Sequence, residues 1–526
     1  MTRRGPLGLA LALGLALAIA VALPACSDDG GGGESEDDGG TAPDVPAVPP
    51  EVREHAADWA LPHREYANSR ATTDSSITAA TINQLQEAWR AEVPGMALFG
   101  NASSTPLVLG DTVYIQDLNN NILAVDRETG EEIWNVQSDA PTTGPNGVAV
   151  GWGKVFAATS KSEVSALDAG TGEELWSTTI TQLDSEGIDI QPSVYGGLVL
   201  TSSVPTSFEA QTFEPGGRGV IHALNEETGD VVWTFDTVDS DDLWGNSEVN
   251  SGGGAWYPPA VDTETGLTYW GTGNPAPWPG TAEFPGGTSR PGPNQWTDSM
   301  LAIDGATGAL AWARQAKPHD LFDHDFQLVL LGDAGGRSLA IGSGKLGTVI
   351  AYDASSGEPV WRTPVGLHQN DELRRLNGPT RVAPGPLGGV ITPMAFADGV
   401  VYAPVVNSPA TYVPERPNFV ADFSIDGGGG ALVALDAATG AILWERELDG
   451  ASSNFGGATV VNDLVLTSTI NGMLYAVNQT TGEVVWTYEA DGQVNGWPAV
   501  AGDLVVWPIG FGDDPHFLAL RLNAGS

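Results

Sequence analysis

Short apolar runs alternate with polar turns along most of this chain, in the pattern expected for antiparallel strand pairs. In a typical unit, an apolar run at residues 122–125 precedes a polar turn and a second strand that ends at Trp134. The Thr-Gly pair in the turn supplies a residue that adopts the left-handed backbone conformation at little steric cost. The pattern therefore predicts hairpins that are repeated along the chain.

One eleven-residue phrase, Ala-x-Asp/Asn-x-x-Thr/Ser-Gly-x-x-x-Trp, organises these hairpins. Its seven copies end at Trp134, Trp176, Trp233, Trp312, Trp361, Trp444 and Trp486. A phrase that recurs at intervals of about forty residues or more is typical of a propeller or another array of small sheets. The further apolar runs between copies predict four antiparallel strands in each blade, with the tryptophan packed between neighbouring sheets.

Two partial units at the ends of the repeat region indicate how the array is completed. Residues 85–89 keep only the last strand of a unit, and residues 517–522 supply the complementary inner part. Paired with each other, they would form an eighth blade and remove an open sheet edge. The predicted fold is an all-β, eight-bladed β-propeller over residues 51–526, and an open solenoid is the alternative.

The net charge of the chain limits the classes of macromolecule that it can bind. The 526 residues include 66 Asp and Glu but only 22 Lys and Arg, which gives a formal net charge of −44. Such a surface repels the phosphate backbone, so we expect no nucleic-acid partner. The acidic composition is typical of a protein that stays soluble in a salty or extracellular medium.

The N-terminus predicts export. Two arginines precede an apolar run at residues 7–23, as in a secretory signal peptide over residues 1–25. The following Leu-Pro-Ala-Cys resembles a bacterial lipobox, with Cys26 as the lipidated first residue of the mature protein. Residues 26–50 then form an acidic, Gly- and Pro-rich tether. The alternative is an uncleaved apolar helix that spans the membrane.

Cysteine usage fits this interpretation. Cys26 is the only cysteine, so it cannot form a disulfide within the chain, and there is no C-x-x-C-H motif for a c-type haem. The sequence therefore predicts a cell-envelope lipoprotein, periplasmic or at the cell surface, that is anchored to the membrane by lipid and carries no haem c.

Candidate chemistry is concentrated in and around the longer intervals between repeat tryptophans, which are Trp233 to Trp312 and Trp361 to Trp444. Extra residues in a propeller enter loops on one face, often the binding face. The first interval contains Trp256 and the stretch Gly-Thr-Gly-Asn-Pro-Ala-Pro-Trp at residues 271–278, and an acidic segment follows at residues 318–326.

These motifs, together with the tryptophan repeat, resemble the quinoprotein alcohol dehydrogenases, periplasmic eight-bladed propellers that use pyrroloquinoline quinone (PQQ). The similarity runs from about Tyr66 to the end and includes Glu-Tyr-Ala-Asn-Ser-Arg at residues 65–70. It implies a PQQ- and Ca²⁺-dependent dehydrogenase that oxidises an alcohol or a related hydroxylated substrate. The electrons would pass to an acceptor that the sequence does not identify.

The resemblance also implies residues that bind the cofactor and metal. Trp256 matches the tryptophan on which the flat quinone lies, Lys345 matches the cation that contacts the quinone oxygens, and Asn407 is a further cofactor-binding residue. Asn274 and Glu214 match oxygen ligands of Ca²⁺, a hard cation that prefers such donors.

Two aspartates complete the implied site. Asp323 matches the catalytic aspartate, which takes the alcohol proton as general base and also lies among the metal ligands. Asp325 resembles the extra metal-binding aspartate of the lanthanide-using branch, so a lanthanide is the alternative ion. In the implied mechanism the metal polarises the quinone carbonyl and hydride passes from the alcohol carbon to the quinone.

One part of the implied site departs from the family pattern. The family commonly has an adjacent cysteine pair and an arginine near the quinone, but residues 140–147 contain neither, and Ser103 stands where a carboxylate is expected. Two alternatives follow from this departure. One is a non-catalytic propeller lipoprotein that binds other envelope proteins, and the other is a propeller that binds a sugar or polymer in the same funnel.

Overall fold

The structure is a computed structural model. It describes residues 47–93, 97, 99–206, 214–422, 424–425, 428–448, 450, 452–510, 512 and 514–523. Cys26, the signal segment and most of the tether lie outside these residues, so lipidation and export stay predictions. In the described part of the chain, no helix has the length and apolar character needed to cross a bilayer.

The described residues form eight antiparallel four-stranded blades, which we number along the chain. Blade 1 contains strands Leu107–Leu109, Thr112–Gln116, Ile122–Asp126 and Glu132–Val136. Blade 2 contains Ala149–Gly151, Lys154–Ala158, Glu163–Asp168 and Glu174–Thr179. Blade 3 contains Ser193–Tyr195, Leu198–Pro205, Val220–Asn225 and Val231–Asp236, and Glu186–Gly187 pairs with its second strand. Blade 4 contains Ala260–Val261, Leu267–Gly271, Ser299–Asp304 and Leu310–Gln315.

The second half of the ring repeats this order. Blade 5 contains Leu328–Asp333, Ser338–Ser343, Thr348–Asp353 and Pro359–Pro364. Blade 6 contains Ala395–Ala397, Val400–Asn407, Gly429–Asp436 and Ile442–Glu447. Blade 7 contains Thr459–Val461, Leu464–Ser468, Met473–Asn478 and Val484–Glu489, and Ala71–Thr72 adds a parallel strand to its edge. Two small sheets pair Ser251–Gly252 with Pro275–Ala276 and Thr380–Val382 with Ala410–Tyr412.

Blade 8 is built from both ends of the propeller. Ala499–Ala501, Leu504–Ile509 and His516–Leu522 supply three strands, and Leu85–Glu92 pairs antiparallel with His516–Leu522 as the fourth. The predicted eighth blade is therefore confirmed, and with it the closed ring. The helical elements described are one short α-helix, Pro50–Glu54, and one 3₁₀ turn, Ile82–Gln84.

Six of the seven repeat tryptophans, together with Trp89 of blade 8, pack against the following blade. The indole N–H groups of Trp89, Trp134, Trp176, Trp233, Trp312, Trp361 and Trp444 all donate to a backbone carbonyl of the next blade. The turn glycine of that blade lies against the ring: at Gly130, φ is +72° and an added Cβ would lie 2.8 Å from Trp89. The repeated Gly and Trp are thus the two halves of one contact between blades.

We expect Gly130→Ala to destabilise the ring more than Gly153→Ala does. Both glycines have a left-handed backbone, but a Cβ at Gly153 meets nothing within 4 Å. Each alanine costs about 1–2 kcal/mol for its conformation, and only Gly130→Ala adds about 1–3 kcal/mol of overpacking against Trp89. Thermal melting of the two variants measures the difference. Equal melting temperatures would contradict this account of the contact.

The alternating strand directions give the ring two distinct faces. In every blade the first and third strands begin on the same face, which we call the cavity face. It carries the segments that enter first strands and the turns that join second to third strands. The Thr-Gly turns join third to fourth strands and lie on the opposite face. First strands are mostly buried, whereas fourth strands alternate with exposed residues, so the first strands lie toward the centre of the ring.

Residues 58–76, the axial segment, contact the first strands of successive blades. Hydrogen bonds join it to Val108, Val194, Val261, Leu331, Phe396 and Val460, in blades 1, 3, 4, 5, 6 and 7. Ser76 donates to Gly502 in the turn after the first strand of blade 8. Such turns lie on the face opposite the cavity face, so the axial segment packs at the centre of the ring from that side.

Contacts with the propeller begin a few residues before position 51. Gly196 of blade 3 donates to the carbonyl of Ala47, 2.7 Å away. Gly153 of blade 2 donates to the carboxylate of Glu51 at 2.7 Å. The last residues of the predicted tether, 47–50, therefore already lie against the blades, while the boundary at residue 51 stays a prediction.

Candidate active site

One cavity of about 170 Å³ opens on the cavity face. Its lining comes from segments that enter first strands and from turns that join second to third strands, and among the residues described every blade except blade 3 contributes. The polar residues that line it are Ser103, Thr143, Asn274, Asp325, Gln327, Lys345, Thr392 and Asn495. The apolar and aromatic ones are Phe99, Pro145, Trp256, Tyr257, Leu387, Val390, Ile391, Ile425, Phe455 and Trp497.

Four of the residues singled out in the sequence meet in this cavity. Trp256, Asn274, Asp325 and Lys345 all line it. Asp323 lies directly behind, with its Oδ2 3.1 Å from the Lys345 ammonium nitrogen. The chain thus brings an indole, an amide, two carboxylates and one ammonium group from blades 4 and 5 into a single site.

Trp256 is positioned by a residue that the sequence did not single out, Gln327. The Gln327 amide accepts a hydrogen bond from the Trp256 backbone N–H at 3.1 Å and donates to the Gly254 carbonyl at 3.1 Å. Gly273 allows this approach, since a Cβ there would lie 2.7 Å from the Gln327 amide nitrogen. The second glycine of Gly-Thr-Gly-Asn is therefore needed for close packing, and Gln327 follows the acidic segment by one residue.

Lys345 joins the two aspartates. Its backbone N–H donates to Asp325 Oδ1 at 2.7 Å, and its ammonium group lies 3.1 Å from Asp323 Oδ2 and 3.6 Å from Asp325 Oδ2. Both carboxylates are buried, with 7% of Asp323 and 6% of Asp325 exposed. The Lys345 ammonium group is thus shared by two carboxylates that have little contact with solvent.

The electrostatics of this trio follow from burial. Burial raises the pKa of the Asp323 carboxyl to about 7, although the Lys345 ammonium opposes part of the rise. Burial also raises the pKa of Asp325. For Lys345, burial alone would lower the pKa, but the two carboxylates raise it above its usual value. Asp323 is therefore a far stronger proton acceptor than an exposed aspartate.

A tight turn presents Asp323. Its φ is +59°, a left-handed conformation that is uncommon outside glycine and is often found at functional sites. The buried Asp320 carboxylate holds the turn by accepting the backbone N–H groups of Phe322 and His324, each at 2.9 Å. Lys317 lies 3.0 Å from the other Asp320 oxygen and compensates its charge.

Two residues named from the sequence do not line the cavity. Glu214 is half-buried at the start of the segment that leads to blade 3's third strand and is absent from the cavity lining. The Asn407 side chain accepts the backbone N–H of Leu367 at 2.9 Å instead of facing the cavity. Their roles as metal ligand and cofactor contact stay predictions.

The cavity and the residues behind it offer oxygen atoms to a metal ion. Among the described residues, no three His, Cys, Asp or Glu side chains converge as a metal-binding group. Oxygen donors are nevertheless present, because Asn274 and Asp325 both line the cavity and Asp323 Oδ1 is buried without a hydrogen-bond partner among the residues described. Amide and carboxylate oxygens are the donors that Ca²⁺ and other hard cations prefer, so this set fits such an ion.

The stretch that lacks the expected cysteine pair also lines the cavity, through Thr143, Gly144 and Pro145. No arginine is among the lining residues described, and Lys345 is the cation present there. A flat ligand with carboxylates would therefore find an indole, one ammonium group and several neutral donors. The site fits the ring system of PQQ, with fewer positive charges than the sequence resemblance implies.

Comparisons with known proteins identify the family of the chain. Residues 59–152 and 181–361 match the family model of the PQQ glucose/ethanol/alcohol dehydrogenase β-propeller domain and cover just over half of the chain. Residues 428–524 match the model of the outer membrane protein assembly factor BamB. The fold and the site thus define an oxidoreductase of the quinoprotein propeller class. The chain belongs to the PQQ-dependent alcohol dehydrogenase family.

Individual relatives are distant. The chain is 27% identical over 501 residues to the putative dehydrogenase XoxF of Paracoccus denitrificans, covering 80% of each protein. It is 26% identical to the quinohemoprotein alcohol dehydrogenase ADH IIB of Pseudomonas putida, over 74% of this chain but only 62% of that longer protein. The crystal structure of the Comamonas testosteroni quinohemoprotein alcohol dehydrogenase has a TM-score of 0.78 at 23% identity, covering 90% of this chain and 82% of that one.

Proposed function

We propose that the protein is a PQQ- and metal-dependent dehydrogenase that oxidises an alcohol or a related hydroxylated substrate in the cell envelope. The observation that carries this proposal is the meeting of Trp256, Asn274, Asp325 and Lys345 in one cavity, in front of a buried Asp323. A propeller without catalysis has no need of a buried aspartate with a raised pKa beside a lysine that is shared with a second carboxylate.

Several cavity residues are placed to bind the cofactor and its metal ion. The Trp256 indole offers a planar surface on which a tricyclic ring can stack. The Lys345 ammonium would contact its oxygens, and Asn274 and Asp325 would hold Ca²⁺ or a lanthanide ion. When bound, PQQ accepts the two electrons of the alcohol and supplies the redox chemistry.

Asp323 is the side chain that would accept the hydroxyl proton of the substrate. Asp323 Oδ2 is held by Lys345, while Asp323 Oδ1 is buried and has no hydrogen-bond partner among the described residues. That oxygen is suited to accept the proton of a substrate hydroxyl, because burial makes the carboxylate more basic. Lys345 orients the carboxylate, and Asp320 holds the backbone on both sides of it.

The apolar wall of the cavity predicts the preferred alcohols. Leu387, Ile391 and Ile425 pack against Phe455 and border the cavity. Each buried methylene of a substrate contributes about 0.8 kcal/mol, so kcat/KM should rise about fourfold per methylene from ethanol to hexanol. Rates for this series, with glycerol as a polar comparison, check the prediction. A flat series, or a preference for glycerol, would show that the wall does not contact substrate.

Reconstitution tests the proposal as a whole. Purified protein is incubated with PQQ and either Ca²⁺ or La³⁺, and quinone absorbance and dye-linked oxidation of primary alcohols are followed. We expect retention at micromolar PQQ and turnover that depends on both the metal and the quinone. Failure to retain PQQ with either ion would end the proposal.

A second function is favoured by one observation, the match of residues 428–524 to the model of an outer membrane assembly factor. Under that alternative the protein would be an envelope scaffold, anchored through Cys26 and binding other proteins. A scaffold retains no quinone, so the same reconstitution distinguishes the two functions.

A further inference from the structure

We propose that Asp189 is a positioning residue for the cavity ligand, because it holds the Thr143–Gly144–Pro145 loop that forms part of the cavity wall. The proposal deepens the function given above and rests on it. Asp189 lies outside the lining and belongs to the segment between blades 2 and 3, whereas the loop precedes the first strand of blade 2.

The contact is made by a fully buried carboxylate. Asp189 has no exposed surface, and its Oδ1 accepts the backbone N–H groups of Thr143 at 3.1 Å and Gly144 at 3.2 Å. Its Oδ2 accepts the Thr143 hydroxyl at 2.7 Å. Three donors from two consecutive residues converge on one carboxylate, which fixes the orientation of the loop toward the cavity.

Other parts of the same loop are anchored to blade 1. The Asn146 amide donates to the Asp117 carbonyl at 2.6 Å, and the Gly147 N–H donates to the Gln116 side chain at 3.0 Å. Asp189 instead binds the two residues that reach the cavity. Loss of its bonds should therefore loosen the ligand-facing part of the loop while blade 1 keeps its own anchor.

The loop occupies the stretch where the family resemblance implies an adjacent cysteine pair. Here the buried Asp189 carboxylate and its hydrogen bonds hold this part of the cavity wall. Burial raises the pKa of Asp189 to about 6, so the group is largely ionised at pH 7 and accepts all three bonds.

The chain contains a matched control in Asp304. Its Oδ1 also accepts two backbone N–H groups, of Ala306 and Thr307 at 3.1 and 2.9 Å, and one threonine hydroxyl at 2.8 Å. That carboxylate belongs to the repeat turn of blade 4, on the face opposite the cavity. Asp304→Asn therefore removes the same kind of contact far from the ligand.

The test compares full-length Asp189→Asn and Asp304→Asn with the wild type. Kd for PQQ is measured by equilibrium dialysis in the presence of Ca²⁺ and, separately, of La³⁺. Hydrogen–deuterium exchange of the ligand-free protein is followed in the peptide that contains Thr143 and Gly144. We expect Asp189→Asn to raise Kd at least tenfold and to speed that exchange, and Asp304→Asn to do neither.

Three outcomes are decisive. An unchanged Kd in Asp189→Asn overturns the positioning role, even where exchange is faster. A raised Kd in both variants shows a general loss of structure and also overturns it. If the wild type binds no PQQ, the proposed function fails together with the ligand role, and the exchange data still decide whether Asp189 holds the loop.

Discussion

Replacing Asp323 by asparagine is expected to lower kcat of the reconstituted enzyme by a factor of about 10² to 10⁴, the usual contribution of a general base. Asparagine keeps the shape of the side chain and can still accept a hydrogen bond from Lys345, which lies 3.1 Å from Asp323 Oδ2. It cannot take a proton from an alcohol. We therefore expect Kd for PQQ to change far less than kcat.

Asp371→Asn is the matched control for this substitution. Asp371 is a half-buried carboxylate near the acidic segment, and its side chain lies 2.7 Å from His368. It does not line the cavity and does not contact Lys345 among the contacts described. Single-turnover and steady-state rates separate chemistry from binding. Wild-type kcat in Asp323→Asn would remove this residue from the role of base.

The second large effect is expected from Arg70→Met. The guanidinium is completely buried in the axial segment and donates to the carbonyls of Ala458 and Pro498 and to the hydroxyls of Thr105 and Thr459, over 2.8–3.0 Å. These acceptors belong to blades 1, 7 and 8 or to the segments that lead into them. Methionine fills the space but leaves them unpaired, at about 1–3 kcal/mol for each buried group.

We therefore expect Arg70→Met to lower the free energy of unfolding by about 3 kcal/mol or more. Arg314→Met is the control, since Arg314 is partly exposed and its ion pair with Glu358 contributes at most about 1 kcal/mol. Chemical denaturation followed by tryptophan fluorescence compares the two. Equal midpoints would mean that the axial segment contributes little to holding the blades together.

The closed ring could be predicted because the sequence pattern that encodes each blade is local and repeated. Each copy of the phrase encodes a hairpin, and the lone strand around Trp89 needed only one complementary partner to close the series. The structure pairs Trp89 with Ala519 in the register that every other repeat uses for its own Ala and Trp. The same repetition explains why the indole of one blade meets the glycine of the next.

The site could be predicted only where its residues carry recognisable motifs. Trp256, Asn274, Asp323 and Lys345 lie in such motifs, and the fold brings them together. Gln327 and Asp189 carry no local pattern, because their roles come from partners far away in the sequence. Residues 65–70 of the axial segment carry part of the family resemblance. The hydrogen bonds of this segment to seven blades, however, depend on the closed ring and cannot be predicted from the sequence.

The strand pairing in blade 8 has a consequence for the folding of the protein during its synthesis. Leu85–Glu92 is among the earliest parts of the propeller to be synthesised, and its partner His516–Leu522 is among the last. An emerging chain must therefore carry an unpaired strand until His516–Leu522 has also been synthesised. A chain that lacks His516–Leu522, through early termination of translation or through proteolysis, leaves Leu85–Glu92 unpaired and the ring open. Such incomplete molecules are more accessible to degradation.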